Sequence, residues 1–378
     1  MGVEFSDEQE SLRKVVRDFA EHEVAPHAAA WDRDHTFPSH LVPMMGDLGL
    51  YGICAPEAYG GAAGDFTSLC VAIEELGRVD QSVGITLSAG VGLGINPILT
   101  FGNEEQKAEW LPDLVAGRAL GAFGLTEADA GSDAGASRTR AARDGDDWVI
   151  DGSKAFITNS GTDITSVITV TARTAGGISA IVVPAGSPGL IVEPPYRKVG
   201  WHASDTHGLV FDGCRVPAAN LLGEEGAGFR QFLAILDDGR IAIAALACGV
   251  IAACLHDSVA YANQRQAFGG PIGRFQAVSF ACADLHVMYE AAAALTYGAA
   301  RLKDEGKSFK QAAATAKLYA TEAAVSAARM ATQIFGGAGF MDETPVARHY
   351  RDSKILEIGE GTSEVQRLVL ARSLGLPA

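Results

Sequence analysis

The stretch Arg351 to Leu368, RDSKILEIGEGTSEVQRL, sets one carboxylate, Glu360, between two glycines at a sharp break ahead of a helix. Ile355, Leu356 and Ile358 bring the chain in from a packed segment, and Gly359 and Gly361 permit backbone angles that side chains resist. Ser363 and Gln366 read as an S-x-x-Q capping box for a last helix carrying Val365, Leu368 and Val369. Held in this way, a carboxylate faces a cavity instead of bulk water and becomes a candidate general base. The plainer alternative is an acidic residue ahead of a helix N-terminus, where negative charge is favoured. The local pattern leaves both open.

Working outward, the segments before this loop are helical and long: Gly228 to Gln264, Gln276 to Glu305 and Phe309 to Phe335. With the short terminal helix they predict an antiparallel bundle over 227–378, and the alanines of 290–331 favour close packing. Between 120 and 226 the character is β. Trp148 to Ile150, Ser166 to Ala172, Ile178 to Val183 and Leu209 to Val216 are runs of β-branched residues, with turns at Asp144-Gly145 and Gly176-Gly177. No helical period separates them, so an antiparallel barrel or sandwich is expected instead of a parallel sheet. Residues 1–119 are helical again, with capping boxes at Ser6/Gln9 and Asn103/Gln106 and further helices after Pro38 and from about Asp65 to Arg78. The first helix is expected to end at Pro26. Gly90, Gly92 and Gly94 are spaced GxGxG with no strand before them, which predicts close helix packing and not a dinucleotide loop. The fold class is therefore α+β: an α domain, a β domain and a helical bundle.

Composition narrows the partners. With 378 residues, 48% hydrophobic and 20% charged, the chain is globular, and a net charge of −16 with pI near 5.0 argues against nucleic acid. The six cysteines form no CxxC pair and the nine histidines no HExxH or Cys/His cluster, so reduced core thiols, a cytoplasmic setting and no metal are expected. MGVEFSDEQE lacks an apolar signal core, and the uncharged run Ile241 to Leu255 is short for a membrane span.

Six motifs then occur in order: PEAYGG (56–61), FGLTEADAGSDAG (123–135), FITN (156–159), RQAFGGPIGRFQ (265–276), QIFGGAGF (333–340) and GEGTSEVQR (359–367). Together they resemble the acyl-CoA dehydrogenase family of flavoenzymes over nearly the whole chain, and the short-chain and short-branched-chain members most. The hydroxyls of Thr126 and Ser132 and the N–H groups of their Gly-containing loop suit flavin oxygens and a pyrophosphate. The resemblance implies that Phe123, Leu125, Thr126 and Ser132 contact FAD or acyl-CoA and that Phe156 and Thr158 flank the isoalloxazine. It implies that Arg265, Phe268, Gln276, Gln333 and Gly337 reach the FAD of a neighbouring subunit, within a homo-oligomer, a tetramer built as a dimer of dimers. Thr362 and Glu364 would contact FAD. Gly361, Asp237 and Arg240 would contact the acyl-CoA, with Ser132 shared.

Glu360 matches the family's base. It would remove the α-proton while the β-hydrogen leaves as hydride to flavin N5, with the base residue's own N–H supporting the thioester oxygen. Some members carry the base on the first long bundle helix instead; Gly239 holds that position here, so no rival base is present. Two departures stand out: Gly359 where an aromatic residue commonly precedes the base, and Ala128 in place of a proline. A missing ring beside the base predicts a roomier pocket for a branched, cyclic or bulky acyl group; a neighbouring side chain filling that space would leave a short straight one. The expected activity is desaturation of an acyl-CoA to a trans-2-enoyl thioester, with an electron-transfer flavoprotein as redox partner. The rivals are the same reaction on a carrier-protein thioester, an oxidase using O2, and a non-catalytic flavin-binding scaffold.

Overall fold

Local capping starts the helices. In the computed structural model, which describes residues 3–377, Gln9 N donates to Ser6 Oγ and Ser6 N to Gln9 Oε1, so the expected box opens α1 (Asp7–Phe19). Met1, Gly2 and Ala378 lie outside the described residues. The helix does not end at Pro26. A π-turn over Ala20–Val24 carries the chain into α2 (Ala25–Asp34), where Pro26 stands in the first turn and so removes no needed donor. There follow α3 (Leu41–Asp47), α4 (Phe66–Val79) capped by Asp65, α5 (Gln81–Ala89) capped by Asp80, α6 (Asn96–Phe101) and α7 (Glu104–Val115), opened by the Asn103/Gln106 box. The glycines of 90–94 lie in a second π-helical turn, where a methyl group at Gly94 would stand 2.8 Å from Gly121 O. Close packing explains Gly94, and Gly90 against Tyr51, whereas a methyl group at Gly92 would meet nothing within 4 Å.

The β region is one sheet built from β1 (Leu120–Gly124), β2 (Arg140–Asp144), β3 (Asp147–Thr158), β4 (Thr165–Thr174), β5 (Gly177–Pro184), β6 (Leu190–Val192), β7 (Thr206–Pro217) and β8 (Leu221–Leu222). The order is β6-β7-β3-β2-β4-β5-β8. Most pairs are antiparallel, as expected, but β1 and β2 both run parallel to β4 and share one of its edges. The β-branched runs predict an antiparallel barrel or sandwich, and the two parallel pairings at β4 are a local addition to it. The 125–139 loop makes these parallel pairings possible by returning the chain before β2 without a crossover helix. Ala122, Ile150, Ile168, Ile181, Phe211 and Val216, from strands across the sheet, meet in a single core, so the sheet curls over its own apolar face.

The last region holds α8 (Gly228–Gln264), a hairpin of β9 (Gln266–Ala267) and β10 (Gly270–Pro271), then α9 (Gln276–Asp304), α10 (Lys310–Phe335), α11 (Pro345–Ser353) and α12 (Ser363–Ser373). Helices from both ends of the chain share one core, in which α4 lies on α8 closely enough that a methyl group at Gly249 would stand 2.4 Å from Glu74 O. Three segments, Gln81–Phe101, α8 and α9, are long and apolar enough to cross a membrane by length and composition; the apolar windows of the first two are 72% and 78% buried inside the protein, that of α9 only 17%. The run Ile241 to Leu255 is thus the middle of a longer, buried helix. All six cysteines are free.

Candidate active site

The terminal loop leaves α11 through a 3-10 turn, Lys354–Glu357, whose Leu356 is fully buried. Ile358 N and Gly359 N both donate to Ile355 O, at 2.9 and 2.8 Å. The left-handed backbone then falls on Glu360 itself (φ 53°) and on Gly361 (φ 87°), not on Gly359. A side-chain-bearing residue in this region is uncommon and persists where its surroundings enforce it. The cap of α12 is Thr362, whose Oγ1 accepts from Val365 N at 3.3 Å; the expected Ser363/Gln366 box does not form, because Gln366 turns back and donates through Nε2 to Gly361 O (2.9 Å) and Glu360 O (3.3 Å). Among the described residues the Glu360 N–H makes no hydrogen bond.

The carboxylate folds inward against α8. A methyl group at Gly239 would stand 2.6 Å from Glu360 Oε2 and 3.1 Å from Cδ, so α8 and the terminal loop converge on one point in space. Oε2 is buried and has no hydrogen-bond partner among the described residues, although the residue as a whole is half-buried. Burial raises the Glu360 carboxyl to about 7, against the opposing pull of Lys317 and Arg240. Lys317, from α10, is fully buried and donates to Gly361 O at 2.7 Å; burial brings its ammonium down to about 8. Arg240 is buried and paired with Asp237 Oδ1 at 2.5 Å, with its Nε unpartnered, while Asp238 takes Lys303 at 2.7 Å. Arg240, the residue after Gly239 in α8, therefore acts on the Glu360 carboxylate, and Asp237 holds Arg240.

Across from them, the β region presents the second and third motifs, at 123–135 and 156–159. Phe123 stacks on Phe232 of α8 with ring centroids 5.7 Å apart, and Leu125 packs on the same cluster. The loop after β1 is held by Glu127, which accepts from Arg138 N (2.6 Å), Thr139 N (2.9 Å), Ser137 Oγ (2.5 Å) and the buried Lys154 ammonium (2.8 Å). Burial alone would raise the Glu127 carboxyl, but Lys154, Ser137 and these N–H groups hold it at about 2. A bulge in β3 between Lys154 and Ile157 turns Phe156 out at φ 62°, 64% exposed. The hydroxyls of Thr126, Ser132 and Thr158 have no hydrogen bond among the described residues. An exposed ring and three free hydroxyls on one loop and strand fit the face and polar edge of a bound flavin.

The remaining motif residues sit apart on the surface of the single chain. Phe268 (φ 50°) and Gly269 (φ 83°) form the two-residue turn of the β9/β10 hairpin, which leaves the Phe268 ring 90% exposed. Arg265, Gln276, Gln333 and Gly337 are also exposed. Tyr261 stacks on Phe335 at 4.1 Å and ties this hairpin to the end of α10. Glu364 is exposed on the first turn of α12.

The chain matches the profiles described as Acyl-CoA dehydrogenase, N-terminal domain over residues 6–118, middle domain over 122–214 and C-terminal domain over 226–375. It belongs to the acyl-CoA dehydrogenase family. The enzyme is 48% identical over 378 residues to the probable acyl-CoA dehydrogenase YngJ of Bacillus subtilis (strain 168), covering 99% of this chain and 100% of that one. It superposes on butyryl-CoA dehydrogenase from Megasphaera elsdenii with a TM-score of 0.96, at 43% identity over 99% of this chain and 100% of that chain. A chain from the structure of the electron transferring flavoprotein of Acidaminococcus fermentans also gives 0.96, at 42% identity and 99% coverage of both. The enzyme is a flavoprotein oxidoreductase that depends on FAD and acts on an acyl-CoA. The residues that motif reading does not single out are Lys317, Glu127 and Lys154; Gln366 is read only as a cap, and Gly239 without its contact with Glu360.

Proposed function

We propose that the enzyme desaturates a short acyl-CoA to the trans-2-enoyl-CoA with Glu360 as the base that takes the α-proton. The observation that carries this reading is the Glu360 carboxylate: buried, unpartnered at Oε2, and raised to about 7. A base poised near the working pH accepts a proton without being permanently protonated or held by a rival partner. The N–H of Glu360, which makes no hydrogen bond among the described residues, supplies a donor for the thioester oxygen, where negative charge grows as the proton leaves. Bound FAD supplies the acceptor for the β-hydride. Phe123, Leu125, Thr126, Ser132, Phe156 and Thr158 would hold it from this chain, and Thr362 and Glu364 from the terminal loop. Asp237, Arg240 and Gly361 would line the thioester end of the site. Relatives named as short-chain or butyryl-CoA enzymes support the short substrate.

Gly359 favours a second, narrower reading, in which the acyl group is branched or bulky near Cα. A methyl group there would meet only Ile355 O, at 3.6 Å, so the space beside the base is open. The exposed Arg265, Phe268, Gln276, Gln333 and Gly337, together with the exposed Phe280 and Val287 of α9, support a homo-oligomer in which these residues complete the FAD site of a neighbour, as a tetramer. An electron-transfer flavoprotein is the proposed acceptor, on the likeness to the Acidaminococcus chain. The division into 1–119, 120–226 and 227–378 is proposed with it.

The test is anaerobic mixing of the FAD-loaded enzyme with straight, branched and cyclic acyl-CoAs while the oxidised flavin band is followed. Rapid bleaching by one class, lost in Glu360→Gln with FAD retained, is expected. A flavin that no acyl-CoA bleaches would sink the reading in favour of a carrier-protein thioester.

A further inference from the structure

Lys317 lies on the face of α10 made by Ala313, Ala316, Ala320, Thr321 and Ala324, all buried. Its stem passes through this layer of small side chains and its ammonium emerges beneath the terminal loop, where Nζ donates to Gly361 O at 2.7 Å. No carboxylate stands within ion-pair distance of it among the described residues. A buried ammonium without a direct counter-ion is unfavourable for folding by itself, so its partner is informative. That partner is the carbonyl that follows the candidate base. Gln366 donates to the same carbonyl at 2.9 Å and to Glu360 O at 3.3 Å. Two donors from two helices thus fix both carbonyls after a residue whose left-handed φ of 53° needs external support.

The charges around the pair are few. Glu360 is faced by Lys317 from α10 and by Arg240 from α8, the latter held by Asp237. Lys317 is faced by Glu360 and Glu357 of the terminal loop, by Arg240, and by Glu322 of its own helix, which Arg367 of α12 engages at 2.6 Å.

We propose that Lys317 is a positioning residue: it holds the left-handed Glu360–Gly361 turn through the Gly361 carbonyl and sets its positive charge behind the Glu360 carboxylate. The inference rests on the reading of Glu360 as base. Gln366 shares the mechanical part without the charge, which separates the two effects.

The experiment is the pH dependence of flavin bleaching by butyryl-CoA in FAD-loaded enzyme, for wild type, Lys317→Met, Lys317→Arg, Gln366→Met and Glu360→Gln, with FAD content per chain measured for each. Loss of the ammonium in Lys317→Met is expected to move the midpoint of the acid limb upward by about one pH unit. At pH 7 the ionised fraction of the base, and with it the bleaching rate, then falls roughly fivefold and recovers in part toward pH 9. Lys317→Arg keeps the charge and the wild-type midpoint, and Gln366→Met lowers the rate at every pH with the midpoint unmoved. A Lys317→Met profile that overlays the wild type overturns the proposal, as does a Gln366→Met midpoint that moves as far as that of Lys317→Met. If Lys317→Met does not retain FAD, Lys317→Arg decides: an upward-shifted midpoint with the charge in place overturns the proposal. Glu360→Gln that bleaches at the wild-type rate overturns the base assignment itself, whereas an inert Glu360→Gln beside an unshifted Lys317→Met overturns only the role of Lys317.

Discussion

Gly239→Ala puts the convergence of α8 and the terminal loop to a quantitative test. The added methyl would stand 2.6 Å from Glu360 Oε2, and an ordinary carbon–oxygen contact needs about 3.3 Å. The carboxylate must therefore retreat by about 0.7 Å. Nothing resists that movement, since Oε2 has no partner among the described residues and is the free end of a flexible side chain. The fold is not harmed, and alanine inside the 37-residue α8 is better than glycine by about 1 kcal/mol. The reacting geometry suffers instead: a misplacement approaching 1 Å can cost up to about a hundredfold, so bleaching by butyryl-CoA should slow by roughly ten- to a hundredfold, about 1.4 to 2.7 kcal/mol on the barrier. The expected result is a slower enzyme with an unchanged or higher melting temperature and full FAD. Stopped-flow bleaching and a thermal scan on the same preparation measure both. An unchanged bleaching rate would refute the claim that the carboxylate reacts from its seat against Gly239. A complementary arm moves the base: Glu360→Gly is inert, and adding Gly239→Glu should restore part of the rate.

Three further outcomes follow from the same geometry. The Glu360 carboxyl is raised in the folded enzyme, from 4.5 to about 7, so the wild type keeps its full stability below pH 4.5 and loses it as the pH rises through 7. Glu360→Gln removes that loss. Its stability should match the wild type at pH 4 and exceed it above pH 7, by up to about 3 kcal/mol, checked by urea titration across that range; a constant difference at all pH values would count against the burial of the carboxylate. Lys154→Met leaves the buried Glu127 carboxylate unpaired and should destabilise the enzyme by about 3–5 kcal/mol, with FAD loss because the 125–139 loop loosens; combined with Glu127→Gln it should cost less than the sum, a double-mutant cycle by calorimetry being the measurement. Gly359→Tyr places a ring in open space, so it should fold normally, keep bleaching by butyryl-CoA and slow bleaching by branched or cyclic acyl-CoAs; full activity on those bulky substrates would refute the roomier-pocket argument.

The parts of the fold legible in the sequence are those where a local signal matches a local structure. The boxes at Ser6/Gln9 and Asn103/Gln106 form as written, and the β-branched runs all lie in strands. α5 escaped notice because every one of its residues is buried, so no polar stripe marks its period. Pro26 misled because a proline in the first turn of a new helix is harmless, and only the π-turn before it reveals that a new helix has begun. In the site, the motif order led to Glu360, but the strain was assigned to its neighbours. Glycines advertise left-handed angles, whereas Glu360 adopts one under compulsion from Lys317 and Gln366. Ser363 and Thr362 are interchangeable as caps on paper; the extended ψ of 164° at Thr362 decides for it. Lys317 was readable in principle, since it falls on the alanine stripe of α10, but a lone lysine on a helix is ordinarily solvated.

If Glu360 is the base, as proposed, the left-handed turn gives a reason for carrying it on a loop and not on the neighbouring helix. A glutamate at position 239 could bring its carboxylate to the same place, but the N–H of a residue inside α8 belongs to the helical ladder. At Glu360 the backbone has left α11 and its 3-10 turn and has not yet entered α12, so its N–H is committed to nothing among the described residues. One residue can then offer the carboxylate that takes a proton and the N–H that meets the oxygen gaining charge from the same event. Both groups hang from one Cα, and φ sets where the N–H points relative to the side chain, so whatever holds that angle holds the direction of the donor. The buried donors of α10 and α12 fix it from behind, and the bare backbone of Gly239 leaves room for it in front.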